Sequence, residues 1–379
     1  MRNFASQSPT ETLFILRFNS AVKRKLYIFN PENDMALGCG RDNYNPPAWT
    51  LQFRHDLELL PAHIAPAGSM ILTVNAQLAQ TWLDACNLYI EAVEAQQLRG
   101  MRDIEIVPWG WSMPLCKELS RAGVHASLLP SPEAMYKVRD LAHRRTSIAV
   151  HKAFAHTMGR EYSPIPVELN DVNEVIRWAI EHPGGYIKTP WSGSGRGIYR
   201  ALDAHATEFE RWCHGAIARQ GSVLCEHALD KVLDFALEFS CNNGKCEFVG
   251  YSVFKSDEQN QYGGGIVATV SELHDIIAKQ YAGIDEATQA MQQVVEEVIA
   301  PHYDGYLGVD MQLYRDDDSI ALDPCVEVNL RCTMGLVTSI MGERNGKRGT
   351  FAIVPTSNAT HPLTPVYKNT RHTAVITEE

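Results

Sequence analysis

The most constraining feature of the chain is near its end, in "GYLGVDMQLYRDDDSIALDPCVEVNLR" (305–331). The alternation of apolar and polar residues predicts two strands around the acidic turn Asp316-Asp317-Asp318. Along a strand, residues i and i+2 share a face, so Glu327 and Asn329 present two oxygen donors side by side. A paired strand carries Asp310 to the same face. Two carboxylates and an amide oxygen form a hard-oxygen set suited to Mg²⁺, which prefers oxygen ligands and keeps water or phosphate in its shell. Taken alone, Glu327 and Asn329 also fit the solvent face of an alternating strand.

A second segment changes that balance. "YIKTPWSGSGRGIYR" (186–200) ends an apolar run on Lys188 and continues through Ser192, Gly193, Ser194, Gly195 and Gly197. A phosphate chain needs backbone N–H groups at close range and a fixed cation. Residues with little side chain supply the first and Lys188 the second. The loop is no Walker loop, because no Gly-Lys-Ser/Thr ends it, and it lacks the dinucleotide spacing. By itself it reads more readily as a plain hairpin.

The rest of the chain bounds the answer. At 379 residues it exceeds what one hydrophobic core usually holds, and a net charge of −11 argues against general affinity for nucleic acid or anionic membranes. Nine cysteines without any Cys-x-x-Cys read as reduced core thiols in a cytoplasmic setting. No stretch reaches the roughly 20 apolar residues of a membrane span. Residues 1–24 read as a disordered leader. "KLYIFN", "SMILTVN" and "IEIVPWG" alternate with helical stretches, which predicts a parallel α/β domain over 25–135. From about residue 185, closely spaced strand-like runs and one amphipathic helix, "EATQAMQQVVEEVIAPHY", predict an α+β domain. Residues 357–379 are left as a C-terminal tail.

Together, the Lys–glycine loop and the acid-x-Asn strand resemble the ATP-grasp superfamily, over roughly residues 136–356. The resemblance implies an N-terminal α/β domain followed by a two-lobed ATP-grasp domain. It implies ATP and two Mg²⁺ ions as cofactors, with Mn²⁺ as the substitute ion. In that family a strand ending in Lys precedes a Gly-rich loop over the phosphates, which "YIKTPWSGSGRG" is similar to. A hinge strand follows, which "VLCEHAL" and "LDFALEF" resemble; this puts Glu226, His227, Ala228 and Asp234 beside the adenosine. The closing "D…E-x-N" pair assigns the metal to Asp310, Glu327 and Asn329, and Arg331 matches the arginine of carboxylate-activating members. The family's earlier phosphate cation falls in "LAHRRTSI", assigned to Arg145 with Arg144, Lys137 and Lys152 as alternatives. Lys255 is a further expected phosphate contact.

The activity so implied is ligation of a small-molecule or peptide carboxylate to an amine through an acyl phosphate, with Lys188 and Arg331 as catalytic residues. A kinase, or a non-catalytic ATP-binding regulator, is the alternative. A homodimer is left open. Two motifs stand outside the resemblance. "NPENDMAL" (30–37) reads as an Asx-turn packing loop at a strand's carboxyl end, with a substrate role for Asn33, Asp34 and Arg41 as the other reading. "PWGWS" (108–112) reads as an aromatic packing corner.

Overall fold

The computed structural model describes residues 23–193, 197–256 and 262–377. Its first sheet contains β1 (Arg24–Ile28), β2 (Met70–Leu72), β3 (Glu91–Val93) and β4 (Ile104–Pro108). All pairings are parallel, in the order β3-β2-β1-β4. The strand order reverses between β1 and β4, and such a switch point opens a crevice at the strands' carboxyl ends. Two helices, α1 (Asn33–Cys39) and α2 (Ala48–Asp56), follow β1 into that crevice. The "NPENDMAL" segment is therefore largely helical rather than a loop. The N–H of Gly40, at φ 64°, donates to Ala36 and Leu37 to close α1. Two further helices, α3 (Ala76–Ala85) and α4 (Met113–Arg121), connect the remaining strands.

The chain then leaves this sheet through α5 (Pro132–Leu141) and α6 (Thr146–Met158). A small antiparallel sheet follows, made of β5 (Val167–Leu169), β6 (Tyr186–Lys188), β7 (Ile198–Arg200) and β8 (Val223–Glu226). It is ordered β5-β8-β6-β7. The helices α7 (Val172–Glu181) and α8 (Thr207–Gln220) cover it, burying Val175, Ile187, Phe209 and Cys213.

The third sheet has seven strands: β9 (Asp230–Asn242), β10 (Lys245–Ser256), β11 (Tyr262–Val267), β12 (Gly305–Asp316), β13 (Ser319–Asn329), β14 (Gly349–Pro355) and β15 (His372–Thr377). Every pairing is antiparallel, in the order β13-β12-β9-β10-β11-β14-β15. Side-chain alternation splits it into two faces. Phe235, Leu237, Phe239, Val309 and Met311 pack with α6 and with the helices α9 (Val270–Ala278) and α10 (Ile284–Val298). The alternate residues face the other two sheets. The last helix, α11 (Met334–Asn345), lies between this sheet and the N-terminal one, joining Leu336, Val337 and Ile340 to Phe29 and Trp109.

Two boundaries differ from expectation. The C-terminal segment is no tail over its described part: β15 closes the large sheet, and buried Asp56 of α2 accepts from the backbone N–H groups of Arg371 and His372. At the other end β1 starts at Arg24, inside the expected leader; residues 1–22 lie outside the described ones. No described helix is long and apolar enough to cross a membrane. Six of the nine cysteines are buried, and all are free thiols.

Candidate active site

The three sheets enclose a cleft of about 1150 Å³, lined by Asp34 and Trp109, by Lys188 and Glu226, and by Asp310, Glu327, Asn329 and Arg331. Single-ligand pockets usually measure roughly 300–1,000 Å³, so the space admits a nucleotide and a further molecule.

Lys188 ends β6 and is only 6% exposed. It pairs with Glu226 at the end of the neighbouring strand β8. Burial raises the Glu226 pKa, and Lys188 opposes that rise. One Glu226 oxygen, Oε1, is buried and has no hydrogen-bond partner among the described residues. The Thr189 N–H donates to Gly197 O at 2.8 Å, closing the base of the glycine loop. At two of its glycines a side chain would crowd its neighbours. A Cβ on Gly197, which has φ 71°, would stand 2.3 Å from Thr189 Oγ1, and one on Gly193 would stand 2.4 Å from Asp34 Oδ2. Ser192 and Gly193 border the cleft; Ser194 and Gly195 lie outside the described residues.

Across the cleft, β12 and β13 place Asp310 directly opposite Glu327. Asn329 Nδ2 donates to Asp310 Oδ2 at 3.0 Å, and Arg331 Nη2 donates to Asn329 Oδ1 at 2.9 Å. Arg331 Nε also donates to Asp34 Oδ2 at 2.9 Å, so α1 reaches into the site. Burial first, and the Glu327 charge second, push the Asp310 pKa up to about 7; Arg331 and Asn329 pull the other way.

The residue between the glycine loop and the acidic strands is Arg144, not Arg145. Arg144 is 4% exposed. Its Nη1 donates to Thr189 O and Ser192 Oγ, both at 2.6 Å, and its Nη2 straddles the Glu327 oxygens at 2.9 and 3.0 Å. Arg145 points outward to Asp140, with its side chain 43% exposed. The buried positions of α6, Ser147, Val150, His151 and Phe154, explain the choice: residue 144 continues that stripe and residue 145 does not.

Lys255 is a second correction. Ser252 and Phe254 line the cleft, so the exposed Lys255 points away from it on the alternating strand. Asp234 and His227 do line the cleft. Asp234 accepts from Lys231 Nζ at 2.7 Å, and the His227 ring packs edge-on to His182 at 4.4 Å. Ala228 is exposed on the hinge between β8 and β9 and does not line the cleft. In the first domain, Asn33 is fully buried and packs. With its amide nitrogen turned toward them, it donates to Gly110 O and Trp111 O, both at 3.0 Å. Asp34 and Arg41 border the cleft, and Trp109 meets Phe29 edge-on at 4.9 Å, as expected of a packing corner.

The donor set fits a divalent ion in chemistry. Among the described residues, no three His, Cys, Asp or Glu side chains converge to form a complete cage. Asp310, Glu327 and Asn329 instead offer a partial oxygen set, with two carboxylates whose mutual repulsion is only partly offset. Each carboxylate oxygen has two lone pairs, so Glu327 retains acceptor capacity beside Arg144. A partial set is what Mg²⁺ needs when phosphate oxygens complete its shell.

No protein-family model matches the sequence, and no curated protein matches it. Solved structures do. The biotin carboxylase domain dimer of Hydrogenobacter thermophilus 2-oxoglutarate carboxylase, solved with MgADP, ADP and bicarbonate, matches with a TM-score of 0.52 at 12% identity. That match covers 94% of this chain and 86% of the other. The chain has the ATP-grasp fold. Also matched are Staphylococcus aureus N5-carboxyaminoimidazole synthetase with ADP and a protein assigned to the ATP-grasp superfamily from Archaeoglobus fulgidus. The first has a TM-score of 0.46 at 12% identity, covering 83% of this chain and 94% of that one. The second has a TM-score of 0.47 at 11% identity, covering 94% of this chain and 99% of that one.

Proposed function

We propose that this protein is an ATP-dependent ligase that joins a carboxylate to an amine through an acyl phosphate, releasing ADP and phosphate. The observation that carries the reading is the convergence of Lys188, Asp310, Glu327, Asn329 and Arg331 on one cleft, although Lys188 and Arg331 are 143 positions apart in sequence.

A carboxylate is a poor electrophile, because its charge repels nucleophiles and its leaving group would be oxide. Phosphorylation by ATP replaces that leaving group with phosphate, and such transfer depends mainly on positioning and charge neutralisation. In the proposed complex, Lys188 turns from Glu226 to the α- and β-phosphates. Asp310, Glu327 and Asn329 would hold Mg²⁺, which when bound supplies positive charge at the phosphate oxygens. Arg331, fixed by Asp34 and Asn329, faces the site where the acid substrate and the γ-phosphate meet. The glycine loop, whose base Arg144 anchors, covers the phosphates and excludes water that would hydrolyse the acyl phosphate.

The test is ADP release with MgATP over a panel of carboxylic acids, with hydroxylamine present to trap an acyl phosphate as its hydroxamate. The ligase reading expects ADP and hydroxamate in equal amounts for at least one acid. A stable phosphorylated product with no hydroxamate would assign a kinase, and nucleotide binding without ADP release would assign a regulator.

A further inference from the structure

The floor of the cleft continues beyond Asp310, away from Glu327, across β9, β10 and β11. Its first side chain is Glu238 of β9, which lies opposite Gly308 and is 1% exposed. Ser252 Oγ donates to Glu238 Oε1 at 3.1 Å, and Thr333 Oγ1 donates to Oε2 at 2.9 Å. No ion pair among the described residues includes it. Glycines make room for this carboxyl: a Cβ on Gly335 would stand 2.4 Å from Oε1, and one on Gly308 2.9 Å from Oε2. Nearby, the Tyr262 hydroxyl is buried without a hydrogen-bond partner among the described residues, and Tyr262 borders the same cleft. Beyond these polar groups, Met35, Phe53, Phe254 and Ile353 form apolar walls.

A buried acid with no ion-pair partner, which Arg331 offsets only from a distance, is a costly arrangement beside an unpartnered hydroxyl in an empty protein. An incoming ammonium would relieve it. Resting on the ligase reading, we infer that this compartment receives the amine substrate, a primary amine with an apolar or aromatic body, and that Glu238 accepts its proton.

The ammonium gives one proton to the Glu238 carboxylate, and the freed nitrogen lone pair attacks the acyl phosphate carbonyl. The C–N bond forms, the C–O bond to phosphate breaks, and the second proton lost by nitrogen leaves with the phosphate. Glu238 then returns its proton to solvent. Burial raises the pKa of this carboxyl to about 8, with Asp310 adding to the rise and the Thr333 and Ser252 hydroxyls opposing it. An adjacent ammonium favours the ionised form, so the acid is a carboxylate when the amine is in place.

The test uses the full chain, MgATP, and an acid found active in the hydroxamate assay. Benzylamine is the cationic, apolar probe; hydroxylamine, neutral at pH 7, needs no such proton acceptor. In Glu238→Gln the ratio of benzylamide to hydroxamate formation is expected to fall about a hundredfold, the low end for general base catalysis. A ratio within about threefold of wild type would overturn the role of Glu238. A comparison in the wild-type protein needs no variant to fold: kcat/KM for benzylamine should exceed that for methylamine at least about tenfold, from burial of the ring. Equal values, or hydroxamate without benzylamide, would overturn the inference and leave the ligase reading standing. No hydroxamate from any acid would overturn both.

Discussion

Asp310→Asn is expected to stabilise the metal-free protein at pH 8 while abolishing its activity. Asp310 titrates near 7 in the folded chain against an ordinary 3.8, because it is buried opposite Glu327. Well below pH 3.8 the group is protonated in both states and has no effect on stability. As pH rises toward 7 the unfolded chain ionises first, so the folded state progressively loses ground, and by pH 8 the full cost is present. Three pH units at ~1.4 kcal/mol each set an upper figure of about 4 kcal/mol. Because Asp310 keeps some exposure to the cleft, about 2 kcal/mol is the working value. The asparagine keeps an oxygen to accept from Asn329 Nδ2, so the local hydrogen bond survives. The assay is urea unfolding of both proteins with chelator at pH 5 and pH 8. An advantage for the variant that grows by about 1 kcal/mol between these values is expected, because more than a third of the cost is already present at pH 5. A pH-independent difference, or a variant less stable at pH 8, would refute the account of this carboxyl.

Mg²⁺ should reverse that penalty by favouring the ionised acids, so its effect on the thermal midpoint should be larger at pH 8 than at pH 6; an equal effect at both would count against ligation by Asp310. Asn329→Ala should lower ADP formation about a hundredfold or more, by analogy with loss of one preorganised electrostatic group, as measured in steady-state assays. Lys188→Ala should weaken ATP binding, and should also destabilise the fold by about 3 kcal/mol because it strands buried Glu226, as read from chemical denaturation. Arg144→Met should increase proteolytic cleavage after the loop base, since five hydrogen bonds to Thr189, Ser192 and Glu327 are removed together; unchanged cleavage would refute its role as an anchor.

The strands that carry the site were legible because each is an alternating run bounded by turn residues. The hairpin of β12 and β13 falls where its pattern placed it, with Asp317 at φ 50° in the turn. Other parts had no such signal. The residues of α11 from Gly335 to Gly342 are all buried, since sheets pack on both sides, so no amphipathic period marks the helix. Strand β15 follows a long irregular segment and takes its meaning only from pairing with β14. Within the site, Lys188, Asp310, Glu327, Asn329 and Arg331 could be named from local patterns. Asp34 stood only as the less favoured reading of its segment, because its value comes from Arg331, 297 residues away. Glu238 likewise looks like any polar position of an alternating strand until α11 brings Thr333 over it. Arg144 was recoverable, since the buried stripe of α6 points back to it rather than to Arg145.

The central claim is that segments far apart in sequence grip one triphosphate. A crystal structure with Mg²⁺ and a non-hydrolysable ATP analogue tests it most directly. The expected density places the triphosphate between Lys188 and the Asp310–Glu327–Asn329 group, with metal in contact with those oxygens and Lys188 drawn off Glu226. A nucleotide bound elsewhere, or metal on phosphate with none of the three residues near it, would contradict the account.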